Sequence, residues 1–330
     1  MKRVNLAIVG ATGMVGQTFL QVLEDLDVPV GELVLLASQR TAGQTVSFKG
    51  RDYTVELLTP QALDPARFQY ALFSAGGSVS TEYAPLAAKA GITVIDNSSA
   101  WRMDPAVPLV VPEVNFDAIG PQDHLIANPN CSTIQSVLPL KVLHDLFGLS
   151  RVVYTTYQAV SGSGYRGTAD LARTQRGEKP AFYRHPIADN CLPEIDVFLP
   201  SGYTKEEQKM IDETRKILGD DAMAVSATCV RVPVRNGHSV AINVTTKRPF
   251  DLDQLHEALA AAPGIGLRIE PENYPTARQA SGQDLVLVGR IRPDDSFPNT
   301  LHLWTVADNI RKGAATNAVQ ILMKCMEARS

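Results

Sequence analysis

Two rhythms of apolar and polar residues divide this chain. In the first third, short solid apolar runs recur at Val4–Val9, Leu33–Ala37, Tyr70–Ser74, Ile92–Asp96 and Leu125–Ala127. Runs without alternation are what strands covered on both faces require, so they predict a buried parallel sheet. After the first run, Val15, Phe19, Val22, Leu23 and Leu26 fall at i, i+4, i+7, i+8 and i+11, one face of a helix. Thr81–Ala90 reads as a second helix. Ile134, Val137, Leu138, Val142 and Leu146 come close to the same spacing and predict a helix over Ser132–Leu146 that begins at Cys131 or just after it.

The pattern then changes. Arg151–Val160 is β-rich, and residues 177–203, rich in Pro, Asn and Gly, read as a long loop. Lys205–Leu218 reads as a charged amphipathic helix. Val225–Val234, His238–Thr246, Leu285–Arg292 and Leu301–Ala307 alternate and carry β-branched residues, with a helix at Asp251–Ala262 between them. Strands in succession with few crossover helices predict a mostly antiparallel sheet with helices on one face. Arg235-Asn236-Gly237 reads as a hairpin turn into the His238 strand. The last helix, Ala314–Ala328, is expected to return to the first domain.

At 330 residues the chain has length for about two domains. A net charge of −4 argues against a general grip on nucleic acid, which needs a basic excess. No apolar run approaches the roughly 18 residues of a membrane span, and Leu6–Val9 is too short for a signal sequence, so a cytoplasmic location is expected. Cys131, Cys191, Cys229 and Cys325 form no CxxC pair, which speaks against a disulfide framework or a zinc site. No metal is expected.

Three stretches carry candidate chemistry. Gly10-Ala-Thr-Gly-Met-Val-Gly16 stands between a strand and a helix, where a pyrophosphate rests on a helix N-terminus. Gly10, Thr12, Gly13, Met14 and Val15 are its candidate cofactor contacts. The next strand ends in Ser38, Arg40 and Thr41 rather than in the acidic residue that bonds a ribose hydroxyl, which suits a 2′-phosphate and favours NADP over NAD. Ser74, Ala75 and Gly76 let backbone approach the same ligand. The second stretch is Asn128–Thr133. A thiol at a helix start meets unpaired N–H groups and a positive dipole end, which favour thiolate; Cys131 is thus a nucleophile or a small buried core residue. The third comprises Arg102, Arg231 and His238: two arginines suit a doubly anionic small substrate, and a histidine at a strand start can reach into a cleft.

Taken together, these segments resemble the aspartate-β-semialdehyde dehydrogenase family over essentially the whole chain. The resemblance rests on Gly10–Gly16, Ala37–Gly43, Asn97–Arg102, Asn128–Thr133, Thr156–Gly164, Glu206–Leu218, Arg231–His238 and Asp308–Ala315. It implies an α/β protein with an N-terminal Rossmann-type NADP-binding domain (residues 1–130 with about 314–330). An α+β catalytic and dimerisation domain with a mostly antiparallel sheet then spans residues 131–313. It implies that Cys131 attacks L-aspartyl-4-phosphate to form a thioester, with NADPH as reductant, yielding the semialdehyde and phosphate. His238 is then the general acid/base and Gln158 orients the acyl-enzyme. Arg231 holds the α-carboxylate and Glu206, with Glu207 adjacent, the amine. Arg102, Lys209 and Asn130 bind phosphate, and Ser161, Gly162 and Asn309 lie at the cofactor. The implied setting is lysine, diaminopimelate, threonine and methionine biosynthesis by a homodimer or dimer of dimers joined through the second domain's sheet. N-acetyl-γ-glutamyl-phosphate reductase shares the cysteine logic, and a non-catalytic NADP-binding relative is a further alternative. Arg231 seven residues before His238, with Glu206 and Lys209 one helical turn apart, favours aspartyl phosphate.

Overall fold

Each solid apolar run of the first third becomes a strand of one sheet. The computed structural model describes residues 2–328. It places in chain order β1 (Val4–Val9), α1 (Met14–Asp25), β2 (Val30–Ala37), the hairpin strands β3 (Thr45–Phe48) and β4 (Arg51–Thr54), β5 (Glu56–Leu57), β6 (Tyr70–Phe73), α2 (Gly77–Lys89), β7 (Thr93–Asp96), α3 (Pro112–Asn115) and β8 (Leu125–Ala127). The sheet order is β5-β2-β1-β6-β7-β8, with all pairs parallel. Strand β1 shows why its run is unbroken. Leu6 and Ile8 pack with Phe19, Leu23 and Val319 on one face, while Ala7 and Val9 pack with Ala84 and Ala87 on the other. The chain leaves β1 for β2 on one side and resumes at β6 on the other, which opens a crevice at the carboxyl ends of these strands.

The first compact unit comprises Met1–Pro129 and Ala314–Ser330; the second is Asn130–Gly313. The returning segment is α9 (Thr316–Ala328), which packs on α1 and α3 and follows a π-helical turn at Arg311–Ala315.

The second unit runs α4 (Cys131–Phe147), β9 (Leu149–Gln158), α5 (Gly164–Gln175), α6 (Lys205–Leu218), β10 (Ala224–Arg231), β11 (His238–Thr246), α7 (Leu252–Ala261), β12 (Ile265–Arg268), α8 (Ala277–Ala280), β13 (Val286–Pro293) and β14 (Thr300–Ala307). Its sheet order is β10-β9-β11-β14-β13-β12. The β9–β11, β11–β14 and β13–β14 pairs are antiparallel, but both edge pairs, β10–β9 and β12–β13, are parallel, so the sheet is mixed.

The expected hairpin at Arg235–Gly237 is not one. β9 lies between β10 and β11, so the segment between them crosses the end of β9, with Val232 N donating to Gln158 O (3.0 Å) and Val160 N to Val234 O (2.9 Å). The cause is the parallel pairing of β10, whose last residue lies at the same sheet end as Gln158. This crossing sets Gln158, Arg231 and His238 side by side. Among the described residues no helix is long and apolar enough to cross a membrane, and no group of three or more His, Cys, Asp or Glu is placed to hold a metal.

Candidate active site

The glycine turn of the first unit is built by close approach. Gly10 has φ +86°, and a Cβ there would lie 2.5 Å from Ser74 O; one at Gly16 would lie 2.2 Å from Gly10 O. Only residues without side chains let β1, β6 and α1 converge this tightly. Gly13, at the start of α1, supplies no side-chain cap, which suits the helix N-terminus to a phosphate ligand. A cleft of about 480 Å³ opens there, lined by Gly10, Thr12, Gly13, Ser38, Arg40, Thr41, Ser74 and Ala75. Met14, Val15 and Gly76 are not part of its lining. Leu58, Val79 and Tyr83, which no motif announced, are. Thr12 Oγ1 donates to Thr41 Oγ1 (3.1 Å), tying the glycine turn to the end of β2. The acidic lining residue is Glu82 on α2, and none stands at the end of β2. The donor set therefore fits a dinucleotide with a phosphorylated ribose.

In the second unit, Cys131 is the first residue of α4, partly buried. Asn130 caps the helix: its Oδ1 accepts from Ser132 N (2.9 Å) and Thr133 N (3.3 Å). It also donates to α6, where Asn130 N reaches Glu213 Oε2 (2.6 Å) and Asn130 Nδ2 reaches Glu206 Oε1 (2.8 Å). Gly313 lies against Cys131, since a Cβ there would sit 2.9 Å from Cys131 Cβ. Asp308 shapes that loop, its Oδ1 accepting from Ile310 N and Arg311 N.

His238 opens β11 and is wholly buried. Its Nδ1 accepts from Ala159 N (3.0 Å). A backbone N–H can only donate, so the neutral ring carries its proton on Nε2. Burial, reinforced by the Arg231 charge, holds the imidazole well below its ordinary pKa and keeps it neutral. Arg231 ends β10, buried, and donates from Nη1 to Ala159 O (2.7 Å). Gly162 covers both: a Cβ there would lie 2.9 Å from Arg231 Nη1 and 3.1 Å from His238 Nε2. Arg231 also lines a cavity of about 380 Å³ with Ser163, Tyr183 and Asp196. Ser161 and Asn309 form one group, in which Asn309 Nδ2 donates to Ser161 Oγ (3.0 Å) and Asn309 Oδ1 accepts from Gly237 N (2.9 Å).

Gln158, buried at the end of β9, donates from Nε2 to Thr156 Oγ1 and Glu206 Oε1, both at 3.3 Å. Glu206 also pairs with Lys209 Nζ (3.1 Å), which itself meets Asp196 Oδ2 (2.9 Å). Burial pushes the Glu206 carboxyl up, but Lys209, the Asn130 hydrogen bond and Arg231 together outweigh it and leave the group below the ordinary range. Glu207 is engaged elsewhere: it closes a capping box with Thr204, and its Oε1 accepts from Cys229 N (3.0 Å). Of the two adjacent glutamates, only Glu206 joins the Asn130–Gln158–Lys209 group.

Arg102 lies in the first unit, on the loop after β7. It is buried and donates to Asn128 O and Asn97 O, both at 3.0 Å. A larger cavity of about 650 Å³, lined by Ser239, Trp304, His302 and Arg290, contains none of the expected residues. Size alone therefore does not mark the chemistry. Sequence reasoning missed Glu213, Gly313, Asp308 and Ala159. For Glu213 a signal existed, because it lies seven residues after Glu206 on the same helical face.

Comparison with known proteins agrees in extent with this geometry. The family described as semialdehyde dehydrogenase, NAD binding domain, matches residues 5–121, and semialdehyde dehydrogenase, dimerisation domain, matches residues 140–312. A protein of Aquifex aeolicus (strain VF5) named aspartate-semialdehyde dehydrogenase is 53% identical over 327 residues, 96% of each chain. The crystal structure of aspartate semialdehyde dehydrogenase II from Vibrio cholerae complexed with ASA superposes with a TM-score of 0.93 at 47% identity, covering 98% of both chains. The enzyme from Candida albicans, crystallised with NADP, has a TM-score of 0.77 at 26% identity and covers 97% of this chain and 98% of its own.

Proposed function

Because the chain belongs to the aspartate-semialdehyde dehydrogenase family of oxidoreductases, we propose that it converts L-aspartyl-4-phosphate to L-aspartate 4-semialdehyde and phosphate, with NADP(H) as cofactor and Cys131 as nucleophile. The observation that carries this reading is the edge where Cys131 begins α4, its cap Asn130 bonded to Glu206, and Glu206 in turn bonded to Gln158 and Lys209. The group combines a thiol at a helix start with fixed charges of both signs, as an amino acid bearing a phosphate requires.

Cys131 attacks the acyl carbon, the C–O bond to phosphate breaks, and a thioester remains on the sulfur. Arg231 binds the α-carboxylate and Glu206 the α-ammonium, which fixes the acyl group against the thiol. Lys209 and Asn130, with Arg102, receive the phosphate. Gln158 orients the thioester carbonyl. When bound in the glycine-turn cleft, NADPH supplies the hydride that reduces the thioester to a thiohemiacetal. His238, with its proton on Nε2, donates to the carbonyl oxygen as that atom gains negative charge, acting as general acid. Collapse of the thiohemiacetal returns that proton to His238, expels the Cys131 thiolate and frees the aldehyde. Ser38, Arg40 and Thr41 hold the 2′-phosphate, and Ser161, Gly162 and Asn309 contribute to the cofactor's nicotinamide end.

The same reading makes the protein a cytoplasmic enzyme of lysine, diaminopimelate, threonine and methionine synthesis, working as a homodimer through its second unit. Purified protein incubated with aspartate semialdehyde, phosphate and NADP is expected to generate NADPH absorbance, and omitting phosphate should abolish it. Turnover of N-acetylglutamate semialdehyde but not of aspartate semialdehyde would overturn the substrate assignment. Turnover of neither would overturn the enzymatic reading.

A further inference from the structure

Glu206 and Glu213 are both buried, and both face Asn130, the residue that precedes the nucleophile. They stand seven positions apart on α6, two turns of one face and about 10 Å along the axis. Asn130 spans the gap, giving its side-chain Nδ2 to Glu206 and its main-chain N–H to Glu213, while its Oδ1 caps α4. Two of these bonds end on carboxylates, acceptors that make the stronger hydrogen bonds. Thr133 Oγ1, three residues further along α4, also meets Met210 Sδ on α6 (3.5 Å).

We propose that Glu213 is a positioning residue for Cys131, the fixed half of a two-carboxylate clamp on α6 whose other half, Glu206, takes the substrate's ammonium. This rests on the role assigned to Glu206 above. An ammonium arriving at Glu206 competes with Asn130 Nδ2 and Gln158 Nε2, both of which lie on Oε1. Glu213 has no such task. Its grip on the main-chain N–H keeps the first turn of α4, and with it the sulfur, in place while Glu206 exchanges partners. Substrate recognition and nucleophile placement are thereby built on one helix face, with the exchangeable contact on the side chain of Asn130 and the permanent one on its backbone.

The test uses the full-length chain carrying Glu213→Ala or Glu213→Gln. Site-specific alkylation of Cys131 by iodoacetamide is followed against pH, beside kcat and KM in the semialdehyde assay. Glu213→Ala is expected to slow alkylation at pH 8 and lower kcat, each by about 10-fold or more. The KM for NADP should stay within two-fold. Glu213→Gln retains an acceptor oxygen for the Asn130 N–H and is expected to keep both rates within about three-fold of the wild type. Should the alanine variant not fold, Glu213→Asp, which withdraws the carboxylate by one methylene, should show the same paired loss. Wild-type alkylation and kcat in Glu213→Ala would overturn the clamp, as would equal losses in Glu213→Ala and Glu213→Gln. A wild-type protein inactive on aspartate semialdehyde would instead overturn the functional reading, while the alkylation arm would still judge Glu213.

Discussion

Gly162→Ala is a one-methyl perturbation whose target is fully defined. The added Cβ would lie 2.9 Å from Arg231 Nη1, 3.1 Å from His238 Nε2 and 3.2 Å from His238 Cε1. None of these atoms belongs to a flexible surface end. His238 is pinned by Ala159 N on Nδ1, Arg231 by Ala159 O on Nη1, and both residues are buried. Forcing a methyl into such packing typically costs about 1–3 kcal/mol. If that cost falls on the catalytic arrangement, it corresponds to a loss of about 5- to 150-fold in kcat/KM. On the proposed roles Arg231 binds substrate and His238 donates in the transition state, so both kcat and the KM for aspartate semialdehyde should worsen. The assay is NADPH formation at varied semialdehyde, with circular dichroism and thermal unfolding to show that the fold persists. A kcat/KM within two-fold of wild type would show that the His238–Arg231 geometry is not what the reaction needs, and would refute the reasoning from this contact.

Other consequences reach different parts of the chain. Arg40→Ala, at the end of β2, should raise the KM for NADPH about 10-fold, the worth of roughly 1.5 kcal/mol for one partly screened charge-assisted contact. It should leave that for NADH nearly unchanged, and an equal rise with both cofactors would contradict a 2′-phosphate contact. Glu206 has a depressed carboxyl pKa, so its stabilising contribution is complete above the unfolded value of about 4.3 and is lost as pH falls through the folded one. Glu206→Gln should therefore show a shallower fall in Tm between about pH 5 and pH 2 than wild type, and parallel curves would contradict the charge pairing. Iodoacetamide at neutral pH should label Cys131 and the exposed Cys191 but not Cys229 or Cys325, which are buried; at Cys229 burial raises the thiol far above its ordinary range. Rapid labelling of Cys229 in the folded protein would contradict that environment.

The elements legible in the sequence were those fixed by local pattern. β1 could be read because both faces are covered, which leaves no polar position in Leu6–Val9. α6 coincides with its expected range because both ends are written locally, by the Thr204–Glu207 capping box and by Gly219 at φ +67°. The Cys131 helix start was legible from the apolar spacing that follows it, and the structure shows Asn130 capping it. What escaped depends on pairing between distant segments. Arg235–Gly237 has the composition of a hairpin, yet β9 stands between the two strands it joins, and nothing in a six-residue window records that. Glu213 reads as one more charge on a charged helix until the backbone of Asn130, 83 positions away, is seen beneath it. Gly313 likewise has meaning only against Cys131. The candidate residues were thus identifiable by kind and position, while the contacts that orient them belong to tertiary structure.

The central claim is a thioester on Cys131. Enzyme mixed with aspartyl phosphate in the absence of NADPH, quenched in acid and weighed intact, should gain the mass of one aspartyl residue, and peptide mapping should place it on Cys131. The adduct should disappear when NADPH is added before the quench. An unmodified protein that nonetheless turns over, or an adduct on another residue that persists in Cys131→Ala, would contradict the account.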